Sequence, residues 1–164
     1  MVEHEVLPAY EKYINENLGV CEYSVYNLIY LDDDDVPELL YDSTADGRGT
    51  ELLCYKDGEV LRNPAPCRGF GFYYIPRGNI VVYEGAWDAD VYGTVAYLNE
   101  GILNSEHTYA ENYDMNADSY MYSIDDAECT KEEYADFVES HKNGTVYGWD
   151  TYSSIQEAYE NFRK

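Results

Sequence analysis

Val25-Tyr26-Asn27-Leu28-Ile29-Tyr30-Leu31, Asp32-Asp33-Asp34-Asp35 and Val36-Pro37-Glu38-Leu39-Leu40-Tyr41 run on from one another without a break and decide the fold class of this chain. The first run is β-branched and aromatic, as a strand requires. Four consecutive carboxylates cannot be buried together, so the second run is a turn. Glu38-Leu39-Leu40-Tyr41 leaves that turn as a second strand. The pair predicts antiparallel sheet, and the rest of the chain is read outward from it.

Downstream, Thr50-Glu51-Leu52-Leu53-Cys54-Tyr55, the turn Lys56-Asp57-Gly58 and Glu59-Val60-Leu61 read as a hairpin, with Gly58 free to take positive φ. Further strands are expected over 71–75, 79–83, 90–98 and 119–124. In the last, Tyr120, Tyr122 and Ile124 alternate onto one side. Upstream, Leu7, Tyr10, Ile14 and Leu18 recur at helical spacing, Pro8 suits a first turn and Gly19 a stop. This helix, over 7–18, is expected to pack as a lid on the strands. Two helices are expected at the end. Thr130-Lys131-Glu132-Glu133 is a capping box, Tyr134, Phe137 and Val138 form the apolar face behind it, and Gly144 ends the helix begun at 131. Ser154-Ile155-Gln156-Glu157 repeats the pattern ahead of Ala158, Tyr159 and Phe162. The prediction is a single α+β domain over 1–164: an N-terminal helix, an antiparallel β-meander and two C-terminal helices.

Composition limits function. With 164 residues, 45% hydrophobic and 16% aromatic, the chain can build a core without metal or disulfides. Thirty-three acids against 10 bases give a formal net charge of -23. Such a surface repels other polyanions, which excludes direct binding of nucleic acid. It leaves a solubilising surface, a basic protein partner or a gathering of cations. No apolar run is long enough to span a membrane. Met1-Val2-Glu3-His4-Glu5 opens acidic, unlike a signal peptide. Cys21, Cys54, Cys67 and Cys129 contain no C-x-x-C pair, which argues against structural zinc; free thiols are expected, though three disulfide pairings are formally open.

Catalytic motifs are sparse. His4, His107 and His141 are expected at the terminus, in a polar loop and at a helix end. No nucleophile elbow, phosphate loop or H-E-x-x-H helix occurs, and Gly69-Phe70-Gly71 lacks the third glycine of a dinucleotide fingerprint. Carboxylates are so abundant that no one pair marks a hydrolase. The acidic turn is the informative feature. Asp32 and Asp34 stand two residues apart and Glu38 lies on the next strand, a set that can aim oxygens at a hard cation such as calcium. Asp42-Ser43-Thr44-Ala45-Asp46-Gly47 opens like a calcium loop but lacks its later glutamate. Twenty tyrosines with Trp87 and Trp149 suggest an exposed aromatic patch for a protein or glycan ligand.

Residues 30–40 resemble the D-x-D-G-D-G-x-P-E-L turn of functionally uncharacterised secreted or lipid-anchored proteins of Gram-positive bacteria. Tyr55-Lys56-Asp57-Gly58-Glu59-Val60 is similar to their Y-K-D-G-x-V hairpin, Tyr74-Ile75-Pro76-Arg77-Gly78-Asn79 to their Y-I-P-x-x-N segment, and residues 127–134 to their V-S-x-x-E-Y helix entry. Here Tyr30 stands for the first aspartate, and Asp33 and Asp35 for the glycines. The resemblance implies a non-catalytic binding module, extracellular or at the cell surface, with its export segment outside this sequence; weak calcium binding at the turn is expected from Asp32, Asp34 and Glu38 themselves. The alternatives are a cytoplasmic acidic mimic of nucleic acid that inhibits a basic nucleic-acid-processing protein and, third, a carboxylate-based hydrolase.

Overall fold

A computed structural model describes residues 2–43, 50–65, 71–148 and 150–164. The stretch 25–41 forms a hairpin, as its pattern predicts. β1 (Ser24–Ile29) and β2 (Glu38–Ser43) pair antiparallel with Ile29 opposite Glu38. β3 (Thr50–Lys56) and β4 (Glu59–Ala65) extend the sheet in order β1-β2-β3-β4. Their turn holds Asp57 at φ 51° and Gly58 at φ 88°, the left-handed pair that a two-residue hairpin demands.

The expected meander is corrected here, because the strands form two sheets. The second contains β5 (Gly71–Tyr74), β6 (Ile80–Trp87), β7 (Asp90–Asn99), β8 (Ile102–Asp114), β9 (Ser119–Ile124), β10 (Ala127–Cys129) and β11 (Val146–Tyr147), in order β10-β9-β8-β7-β6-β5-β11. The longest of these, β8, falls where the sequence pattern predicts no strand. Its sequence ILNSEHTYAENYD is polar and buries little besides Tyr109. It is a strand because β7 and β9 pair with it on both edges, so tertiary pairing overrides its weak propensity.

Both sheets lose their hydrophobic faces to partners. Ile29, Leu31, Leu40, Leu52 and Cys54 of the first meet Phe72, Val81, Ala96 and Leu98 of the second. The outer face of the first sheet, with Tyr26, Leu28, Leu39, Tyr41 and Leu53, is covered by α1 (Leu7–Tyr13) and α3 (Ile155–Phe162). The outer face of the second, with Val82, Val95 and Tyr109, is covered by α2 (Lys131–Lys142). The molecule is therefore layered helix, sheet, sheet, helix, with an apolar core in each of the three gaps.

The helix predicted over 7–18 is present, and α1 continues into π-helical turns at Val2–Val6 and Ile14–Leu18. Thr130 and Glu133 form the full capping box of α2. At α3 the box is offset by one residue: Ser154 accepts from the Glu157 amide, but the Glu157 carboxylate takes Ser153. Between α2 and α3 the chain ties the sheets together. The Gly148 amide donates to Phe72 O at 2.7 Å, its carbonyl accepts from Asn27 of β1, and Tyr152 then bridges Tyr26.

Candidate functional site

The acidic turn between β1 and β2 sits at one end of the sandwich, clamped by its neighbours. The Arg77 and Asn79 amides, from the β5–β6 turn, donate to Tyr30 O at 3.0 Å and Leu31 O at 2.9 Å. The buried Tyr10 hydroxyl donates to Pro37 O at 3.0 Å. Arg77 stacks 4.3 Å above the Tyr30 ring and pairs with Asp35 at 2.8 Å. Asp35, which stands where the resembled pattern has a glycine, has φ 61°, a left-handed conformation that Asp tolerates better than most residues.

Within this frame, ligand oxygens of Asp32, Asp34 and Glu38 lie within 4.8 Å of one another. Each carboxylate is oriented by a backbone amide. Asp34 N donates to Asp32 Oδ1 at 3.0 Å, Val36 N to Asp34 Oδ1 at 2.8 Å, and Leu31 N to Glu38 Oε2 at 2.7 Å. That leaves each residue a second oxygen for a further partner. Among the described residues no Lys or Arg forms an ion pair with any of the three. Lys56, across the site on β3, pairs with Glu100, though its charge also bears on Asp34.

The electrostatic consequence falls on Glu38, which is only 3% exposed. Burial, reinforced by Asp32 and Asp34, pushes its carboxyl up to about 8, against the Leu31 hydrogen bond that favours the anion. Burial also raises Asp34, and Asp32 adds to the effect. The neighbouring Cys54 thiol is driven up by burial and by these same acids, so it is inert. The turn is thus a cluster of oxygen donors around a buried carboxyl, an arrangement that a proton or a cation would ease. Two Asp and one Glu with no nitrogen or sulfur donor suit a hard cation, with water completing six to eight ligands.

Other residues singled out in the sequence are placed as follows. Asp42, on β2, is buried and one of its oxygens has no partner among the described residues; the loop-like fragment after Ser43 lies outside the described residues, as do Cys67, Phe70 and Trp149. His107 is in β8, not in a loop, and its Nδ1 lies 2.8 Å from Asp125. That pairing is invisible in the sequence because the two residues are brought together only by the β8–β9 register. Most tyrosines are packed or half-buried, so much of the aromatic content serves the cores. Trp87, Tyr92 and Met121 are exposed, and the strand registers put all three on one face of the second sheet. That face carries Val81 and Tyr83 where it meets the first sheet. From residue 78 to residue 130 the chain contains no Lys or Arg.

No helix of the described residues is long and apolar enough to cross a membrane. Compared with known families, curated proteins and solved structures, the chain has no match.

Proposed function

We propose that this chain is a non-catalytic binding module whose acidic turn holds calcium through Asp32, Asp34 and Glu38. The observation that carries the reading is the convergence of three carboxylates, unpaired with any described cation, around a glutamate that is 3% exposed. Three protein oxygens form an incomplete shell, so the affinity belongs to the weak class, on the order of 10⁻⁴–10⁻³ M, typical of extracellular modules. A location outside the cell or on its surface is part of the same proposal, since a site this weak fills only where calcium is abundant. A catalytic role for the same carboxylates is disfavoured because Glu38 lies beneath the turn, out of reach of a bulky substrate.

The calcium reading is tested by thermal denaturation in calcium and in chelator at matched ionic strength. At a hundredfold excess over Kd, mass action stabilises the fold by about 2.7 kcal/mol. The double substitution Asp32→Asn, Asp34→Asn should abolish the rise. Identical melting of the wild-type chain in calcium and chelator refutes the site.

The partner that best suits the remaining surface is a basic protein segment. Tyr92 and Met121 offer apolar contact, and the strands around them carry acids but no Lys or Arg of their own. Tyrosine and tryptophan rings also attract Lys and Arg through their faces. Direct nucleic acid binding is disfavoured by the same charge.

A further inference from the structure

The structure places two histidines, distant in sequence, against one another on the face of the second sheet covered by α2. The ring centres of His107, from β8, and His141, from the last turn of α2, are 5.6 Å apart and their planes are inclined at 62°. Phe137 packs against both, at 5.6 Å from His107 and 4.2 Å from His141. An ion held at about 2.1 Å by one nitrogen of each of two imidazoles, at a tetrahedral angle, sets ring centres roughly 5 Å apart. The observed separation is close to that value.

Both rings have the same hydrogen-bond arrangement. His107 Nδ1 is 2.8 Å from Asp125 Oδ2, and His141 Nδ1 is 2.8 Å from the Phe137 carbonyl oxygen and 3.2 Å from Ser140 Oγ. Neither Nε2 has a hydrogen-bond partner among the described residues. An imidazole that donates Nδ1–H to a carboxylate or carbonyl presents Nε2 as a lone-pair donor, which is how metal-binding histidines are oriented. Asp125 is itself fixed. Its other oxygen accepts from the Thr108 amide at 2.9 Å, and that bond, with His107, holds it below the usual carboxylate range.

We infer that His107 and His141 form a second metal site, for a borderline divalent cation of the zinc class, with Asp125 orienting His107 and water completing the shell. Imidazole nitrogen selects zinc, copper or nickel over calcium, so this site is chemically distinct from the all-oxygen turn. Its ligands come from β8 and α2, and metal binding would staple the helix to the sheet.

Two measurements test it. In the first, zinc chloride is titrated calorimetrically into the full chain carrying Asp32→Asn and Asp34→Asn, which removes the acidic turn from competition. A one-to-one event is expected that is lost in His107→Ala and in His141→Ala, and weakened about 10–100-fold in Asp125→Asn. In the second, nitrogen-15 histidine spectra of the unsubstituted chain should show Nε2 of His107 and His141 moving with zinc while His4 stays in place. Zinc binding unchanged by either alanine substitution, an absent binding event, or histidine resonances indifferent to zinc each overturn the inference. The calcium reading survives or fails separately.

Discussion

Replacing Glu38 by Gln should make the metal-free protein more stable, and increasingly so as pH rises. The side chain is nearly fully buried, and burial raises its carboxyl from an ordinary 4.5 to about 8 in the folded state. Between those values the folded chain keeps a proton that the unfolded chain has lost. Stability therefore falls with rising pH by about 1.4 kcal/mol per unit, and the loss levels off above pH 8. Between pH 6 and pH 9 this single group costs about 3 kcal/mol, an order-of-magnitude figure, or roughly 6–12 °C in melting temperature for a chain of this size. Glutamine retains a carbonyl oxygen to accept from Leu31 N and has nothing to titrate.

The assay is thermal denaturation of wild type and Glu38→Gln across pH 6 to 9 in chelator. Subtracting the two curves removes the general repulsion of a chain with net charge -23. Under the calcium proposal the same residue sets the pH dependence of binding. Coordination requires the ionised carboxylate, so calcium affinity should tighten about 100-fold from pH 6 to pH 9 as the competing proton leaves. Wild-type and Glu38→Gln curves that run parallel across the whole pH range would falsify the buried-carboxyl argument, and with it the electrostatic basis of the calcium proposal.

Two further outcomes are expected from the packing and the surface. Gly93→Ala should cost about 1–3 kcal/mol, because a Cβ there would stand 2.0 Å from Tyr109 Cζ, and Tyr109 is held by its bond to Glu84 at 2.8 Å, which Lys142 of α2 shares at 2.5 Å. Chemical denaturation checks it, and an unchanged midpoint would mean that Tyr109 is free to move. For the proposed docking face, a lysine-rich peptide titrated into the chain at low salt should bind more weakly to a Tyr92→Ser, Met121→Ser variant; equal affinities would leave net charge alone as the attraction.

How much of this is readable from the sequence depends on whether a residue's partners are local. The hairpin at residues 25–41 is legible because strand composition and an unburiable acid run alternate within one stretch. The α2 capping box is legible because its two members lie three residues apart. The set Asp32, Asp34 and Glu38 is legible for the same reason, since a single tight turn brings them together. Partitioning into two sheets is not, since Leu40 facing Phe72 and Leu39 facing the helices differ only by the alternation of β2 and not by residue type. Nor is β8, whose polar residues form a strand only between β7 and β9. The His107–His141 pair lies further out of reach, because its geometry needs the β8–β9 register and the docking of α2 at once.

The depth of Glu38 is what gives the acidic turn a physical meaning beyond solubility. Asp33 is solvated, and Asp35 is exposed and paired with Arg77, so a sequence selected only for a polar turn would resemble these two. Glu38 is instead placed under the turn, on a strand residue opposite Ile29, with its carboxylate gripped by Leu31 N and facing two further acids. A neutral amide would fill that position without the conflict. Two arrangements stabilise the glutamate: a retained proton, which fails as pH approaches 8, or a divalent cation that also draws in Asp32 and Asp34. Under the calcium proposal, the second would turn a local instability into a link between calcium and the register of β1 and β2. Because those strands form core with the helices on one face and with the second sheet on the other, a calcium-dependent turn should make the whole sandwich calcium-dependent, and amide exchange in β1 and β2 should slow first as the ion is added.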